Sequence, residues 1–100
     1  MTIIIAGTLR VPRENQPAFR PQQEAMLVAT RAEDGCLAYS YAVDVQDPGL
    51  NRVFEVWRDL ESLEAHLATP QMAVWRAASP QFGVSDHRFS RYEVFSERPL

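Results

Sequence analysis

Two stretches of this sequence are apolar on both faces of an extended chain, and few folds can accommodate that. Between Thr2 and Val11, Ile3, Ile5 and Leu9 fall on one face and Ile4, Ala6 and Thr8 on the other. Between Arg52 and Arg58, Val53 and Trp57 oppose Phe54 and Val56. Strands of this kind are covered on both sides. The chain has 100 residues and helical pattern enough for one covering layer. The second face then needs a second copy, so a face-to-face homodimer is expected.

The remaining elements follow from period and punctuation. Pro12 closes the first strand, and Pro17 and Pro21 allow only a short turn or a helix start before Gln22. From there to about Ala32 the pattern is helical, with Met26, Leu27 and Thr30 on one face and Phe19 leading in. Asp34-Gly35 stops that helix. Leu37, Tyr39, Tyr41, Val43 and Val45 alternate, which predicts a strand over Cys36 to Val45. Asp47-Pro48-Gly49 is a turn, and a third strand runs from Arg52 to Arg58. Asp59 is a good N-cap for a helix carrying Leu60, Leu63 and Leu67. Thr69-Pro70 breaks it, Gln71 to Ala78 forms a further short helix, and residues 79–83 read as a loop. A long last strand is expected from Val84 to Glu97, with Phe89, Arg91, Glu93 and Phe95 on one face. The order β-α-β-β-α-β is that of the ferredoxin-like α+β fold with an antiparallel sheet. Residues 1–100 read as a single domain.

Composition removes several function classes. The formal net charge of −3 argues against nucleic acid or an anionic membrane surface as partner. All ten basic residues are Arg, which excludes a Schiff-base lysine, a pyridoxal-phosphate anchor and a phosphate-loop lysine. The two His and scattered carboxylates lack metal-ligand spacing. The four Gly form no phosphate loop, so neither a nucleotide nor a flavin is expected. The single Cys36 can form no internal disulfide and reads as a buried, inert thiol. The opening MTIIIAGTLRV lacks the basic leader and long apolar core of a signal peptide. No apolar run approaches the roughly 20 residues of a membrane span. The expected compartment is the cytoplasm.

His66 and Glu55 are the residues best suited to chemistry. His66 lies at the edge of an apolar helical stripe, where it is either a solvated or capping residue or a pocket base titrating near neutrality. Glu55 lies mid-strand on the same face as Trp57. It either pairs with an Arg on a neighbouring strand, such as Arg91, or faces His66 or a substrate hydroxyl. Trp57, Trp75, Tyr39, Phe19 and Phe82 are candidates for the walls of an aromatic-binding pocket, with core packing as the alternative for each. His87 reads as a surface or interface residue.

The run Glu33-x-Gly35-Cys36-x-x-Tyr39, then Phe54-Glu55-x-Trp57, then Glu64-Ala65-His66 and Pro70, resembles the antibiotic biosynthesis monooxygenase family. This family of dimeric α+β barrels includes quinol monooxygenase-like and autoinducer-processing proteins. The resemblance covers nearly the whole chain, since length and element order also fit. It implies oxygenation of electron-rich aromatics without metal, flavin or haem. The haem-degrading branch of the superfamily relies on an Asn, a Trp and a His where this chain has Gly7, His66 and Arg76. These departures speak against haem degradation.

The leading expectation is therefore a cofactor-independent monooxygenase acting with O2 on a small phenol or dihydroquinone. His66 would be the base, and Glu55 would orient it or hold a substrate hydroxyl. Trp57, Trp75 and Tyr39 would clamp the ring, with Phe82 beside a mobile lid at residues 79–83. Two alternatives stay open: an isomerase or other proton-transfer enzyme using the same base, and a non-catalytic ligand-binding or stress-response dimer.

Overall fold

In the computed structural model, which describes residues 1–100, four strands pair into one antiparallel sheet. They are β1 (Thr2–Arg10), β2 (Cys36–Val43), β3 (Leu50–Trp57) and β4 (Ser85–Val94), in the spatial order β2-β3-β1-β4. Three helices complete the chain: α1 (Gln16–Arg31), α2 (Leu60–Leu67) and α3 (Pro70–Ala78). This is the ferredoxin-like α+β arrangement expected from the element order, with the two short helices together filling the second crossover.

Register aligns the chemistry. One cross-strand row reads Tyr39, Glu55, Ile5, Arg91, and the next reads Tyr41, Val53, Gly7, Phe89. Directly paired residues share a face. These rows, with Ile3, Leu9 and Trp57, lie on the face that the helices cover. The core between the layers holds Ile3, Leu9, Phe19, Met26, Val53, Trp57, Leu63 and Trp75. On the opposite face Ile4, Val56, Phe54 and Tyr92 meet no other element, and the last two are 44% and 53% exposed.

Element ends differ from the sequence expectations for identifiable reasons. Helix α1 starts at Gln16 rather than Gln22 and carries Pro21 inside it. Pro17 occupies the first turn, where no N–H is needed, but Pro21 removes a rung. The helix continues because Gln16, Phe19, Gln23, Met26 and Thr30, at steps of three and four, are all buried. Burying residues such as Phe19 and Met26 contributes roughly 1.5–3 kcal/mol each, which outweighs the lost rung. Strand β2 stops at Val43 because the Asp44 carboxylate accepts from Gln46 N and Asp47 N, both at 3.0 Å, and turns the chain. Strand β4 ends at Val94 because that residue already pairs with Thr2, the first residue of β1. Residues 79–82 form a 3-10 turn rather than an open loop. No helix is long and apolar enough to cross a membrane.

Candidate active site

Between the sheet and helices α2 and α3 lies a cavity of about 330 Å³, at the small end of the range for ligand sites. Most of its wall is apolar: Ile5, Leu9 and Val53 from the sheet, Leu63, Met72 and Trp75 from the helices. Polar groups converge on it from three directions. Helix α2 supplies His66, β3 supplies Glu55, and β4 supplies His87 and Arg91.

His66 is positioned by two caps. The Asp59 carboxylate accepts from Ser62 N at 2.8 Å and starts α2. Thr69 accepts from Met72 N to start α3 and donates its hydroxyl to the His66 carbonyl at 2.8 Å. The imidazole is 2% exposed and lies over Trp57, with centroids 4.7 Å apart. Its Nδ1 is 3.0 and 3.2 Å from the two carboxylate oxygens of Glu33. A carboxylate only accepts, so Nδ1 carries a proton, and in the neutral ring the lone pair is on Nε2. No protein atom bonds Nε2, and the ring forms part of the cavity wall.

Glu33 reaches this place through the turn between α1 and β2. Gly35 adopts φ +84° there, and a Cβ on it would collide with Ser62. The Gly35 carbonyl accepts from Arg58 N at 2.8 Å, and Asp34 accepts both terminal nitrogens of Arg58 at 3.1 and 3.2 Å. The turn is thus locked to the end of β3 and the start of α2. Gln71 Nε2 donates at 2.9 Å to Glu33 Oε2, the oxygen nearer His66. Sequence reasoning had Glu55 either orient His66 or hold a substrate hydroxyl; the structure gives the contact with His66 to Glu33. The signal was available, because Glu33 heads the motif that carries the family resemblance.

Glu55 instead accepts from Trp57 Nε1 at 2.9 Å. Burial raises its carboxyl above the ordinary value, partly offset by that bond and by His66. It forms no ion pair with Arg91, whose guanidinium lies 3.7 Å from Glu93 on its own strand. Tyr39 lines the cavity, and its hydroxyl pairs with that of Tyr41 at 3.0 Å. Burial pushes both phenols well above their ordinary range, so they stay protonated. Trp75 also lines the cavity and stacks on Tyr41 at 5.6 Å.

Three expected wall residues, Trp57, Phe19 and Phe82, lie elsewhere. Trp57 is fully buried beneath His66 and supports it from below. Phe82 packs on Phe19 at 5.1 Å, and its carbonyl accepts from Asn15 at 2.9 Å, so the 79–82 segment is tied down beside α1. The sequence reading gave His87 as a surface or interface residue; it is exposed and also borders the cavity, whereas Tyr41, Met72 and Phe89 were not named as lining residues. The Phe89 side chain lies against Gly7, where any Cβ would collide with it and with the Arg88 carbonyl. Cys36 is free, with its thiol pushed up by burial. No three His, Cys, Asp or Glu side chains stand close enough to share a metal ion.

Known proteins give this geometry a context. The model of the family described as antibiotic biosynthesis monooxygenase matches residues 2–78. A Mycobacterium tuberculosis protein, provisionally named a monooxygenase, is 35% identical over 79 residues, which cover 77% of each chain. An uncharacterised Synechocystis protein is 26% identical over 98% of this chain and 67% of its own. Among solved structures, a Deinococcus radiodurans protein given provisionally as an antibiotic biosynthesis monooxygenase superposes with a TM-score of 0.91. It has 31% identity and covers 98% and 97% of the two chains. The structure of the M. tuberculosis protein gives 0.86 at 22% identity, over 99% and 100%.

Proposed function

The chain belongs to the antibiotic biosynthesis monooxygenase family, and from that premise we propose that it oxidises a small electron-rich aromatic, a phenol or dihydroquinone, with dioxygen and no cofactor. One observation carries the reading: a carboxylate-held imidazole presents an unpartnered Nε2 at the wall of a small, mainly apolar cavity.

Dioxygen is a triplet and reacts slowly with closed-shell molecules, but a phenolate can give it one electron. His66 Nε2 takes the phenol proton, and Glu33 stabilises the imidazolium that results. Such a base contributes on the order of 10²–10⁴-fold. Superoxide and the phenoxyl radical then combine at a ring carbon, and water leaves from the hydroperoxide. A phenol plus O2 becomes a quinone plus water, so the substrate supplies all four electrons. Tyr39 and Trp75 hold the ring, and the apolar wall keeps water from the radical pair. Glu55, held at the cavity wall by Trp57 Nε1, accepts a hydrogen bond from a second substrate hydroxyl.

We also propose that the open sheet face pairs with a second copy, because Phe54 and Tyr92 lie exposed there beside Ile4 and Val56.

Oxygen uptake over a panel of dihydroquinones and phenols tests the function. Uptake above the spontaneous rate is expected, falling by about 10²-fold or more in His66→Ala while the dimer persists. Turnover that continues without oxygen points instead to proton transfer alone. Uptake equal in wild type and mutant removes His66 from the mechanism.

A further inference from the structure

The cavity is electrically lopsided. Glu55 on β3 and Arg91 on β4 flank Ile5 in one cross-strand row, so their backbones stand two strand spacings apart, about 10 Å. Each is otherwise engaged in a way that leaves the two ends distinct. Glu55 is bonded to Trp57. Arg91 has only Glu93, at 3.7 Å, which exceeds hydrogen-bond length. Both members of that pair are half exposed, so it holds Arg91 weakly. His87 lies on the same side of the cavity, edge-on to Phe89 at 6.0 Å. The β4 wall therefore offers guanidinium and imidazole N–H donors, with an aromatic ring between them, and no acid there competes closely for Arg91.

We propose that this wall receives an anionic group of the ligand, so that the preferred substrate is a phenolic acid whose carboxylate meets Arg91 while its hydroxyl meets His66. The proposal deepens the function above and rests on that reading of the cavity. A guanidinium fork binds a carboxylate through two parallel charge-assisted hydrogen bonds. The partly apolar surroundings strengthen such bonds relative to open water. Binding at one end by charge and at the other by a hydroxyl fixes the ring's direction, which sets which carbon meets oxygen.

The test is an anaerobic titration of wild type with hydroquinone and with 2,5-dihydroxybenzoate, followed by tryptophan fluorescence since Trp75 lines the site. The two ligands differ only in the carboxylate. The acid is expected to bind at least ten-fold more tightly. That ratio should collapse toward one in Arg91→Leu, persist in part in Arg91→Lys, and shrink in wild type as salt rises. Equal affinities, a preference that survives Arg91→Leu or high salt, or binding of neither ligand would overturn the proposal. Nothing is oxidised in this titration. A protein that prefers the acid but consumes no oxygen retains the anion site and loses the monooxygenase reading. One that oxidises dihydroquinones without the preference does the reverse.

Discussion

At the scale of single residues, the site turns on two glutamates with different tasks. Glu33 holds the tautomer of His66, whereas Glu55 is buried, bonded to Trp57 and displaced toward its neutral form. The sequence favoured Glu55 because a carboxylate inside an apolar strand is conspicuous. Glu33 was read only as the first residue of the family motif and was given no task. Its role depends on the turn folding back onto α2, which needs the positive φ of Gly35 and the Arg58–Asp34 pair. Trp57 was legible as a pocket-face residue but not as the floor beneath the imidazole, because alternation gives the face and not the depth. Glu55 also has a stability consequence. Its folded-state pKa lies above the ordinary 4.5. The unfolded chain therefore releases this proton first, and stability present in acid is lost as pH rises through the folded value. Glu55→Gln keeps an oxygen for Trp57 Nε1 and removes that loss. Its Tm relative to wild type should increase as pH rises above the ordinary carboxyl value of 4.5. Parallel Tm profiles for the two proteins would contradict the burial argument.

Among the elements, the four strands and their order were readable because alternation and turn residues are local signals. What escaped was set by partners distant in sequence. The α1 helix begins six residues early because the step pattern 16, 19, 23, 26, 30 buries a continuous face despite Pro21. That pattern is present in the sequence, but two prolines obscured it. The end of β4 was unreadable because it depends on where β1 runs out of residues to pair. The sheet itself carries the clearest element-scale consequence. Its face away from the helices leaves Phe54 and Tyr92 half exposed next to Ile4 and Val56. Sedimentation at micromolar concentration should give a mass near twice 11.4 kDa. Phe54→Asp, which places a charge on that face, should shift it toward the monomer. A wild-type monomer at that concentration would leave the two-faced strands unexplained.

For the molecule as a whole, the fold brings an imidazole from α2, a carboxyl from β3 and a guanidinium from β4 around one mainly apolar cavity. Strand alternation put Glu55 on the same face as Trp57 but left open whether that face was the pocket or the dimer side, and helical spacing put His66 at the edge of its stripe. The contribution of β4 was not readable, since Arg91 and His87 reach the cavity only through the pairing of the last strand with the first. The central claim is that this assembly takes a proton from a bound phenol at His66. A chromogenic phenol, 4-nitrophenol, reports that directly, because only its phenolate is yellow. Titrated without oxygen at a pH below its own pKa, it should turn yellow on binding to wild type and stay colourless on binding to His66→Ala. A bound ligand that remains neutral in wild type, or that ionises equally in the mutant, would contradict the account.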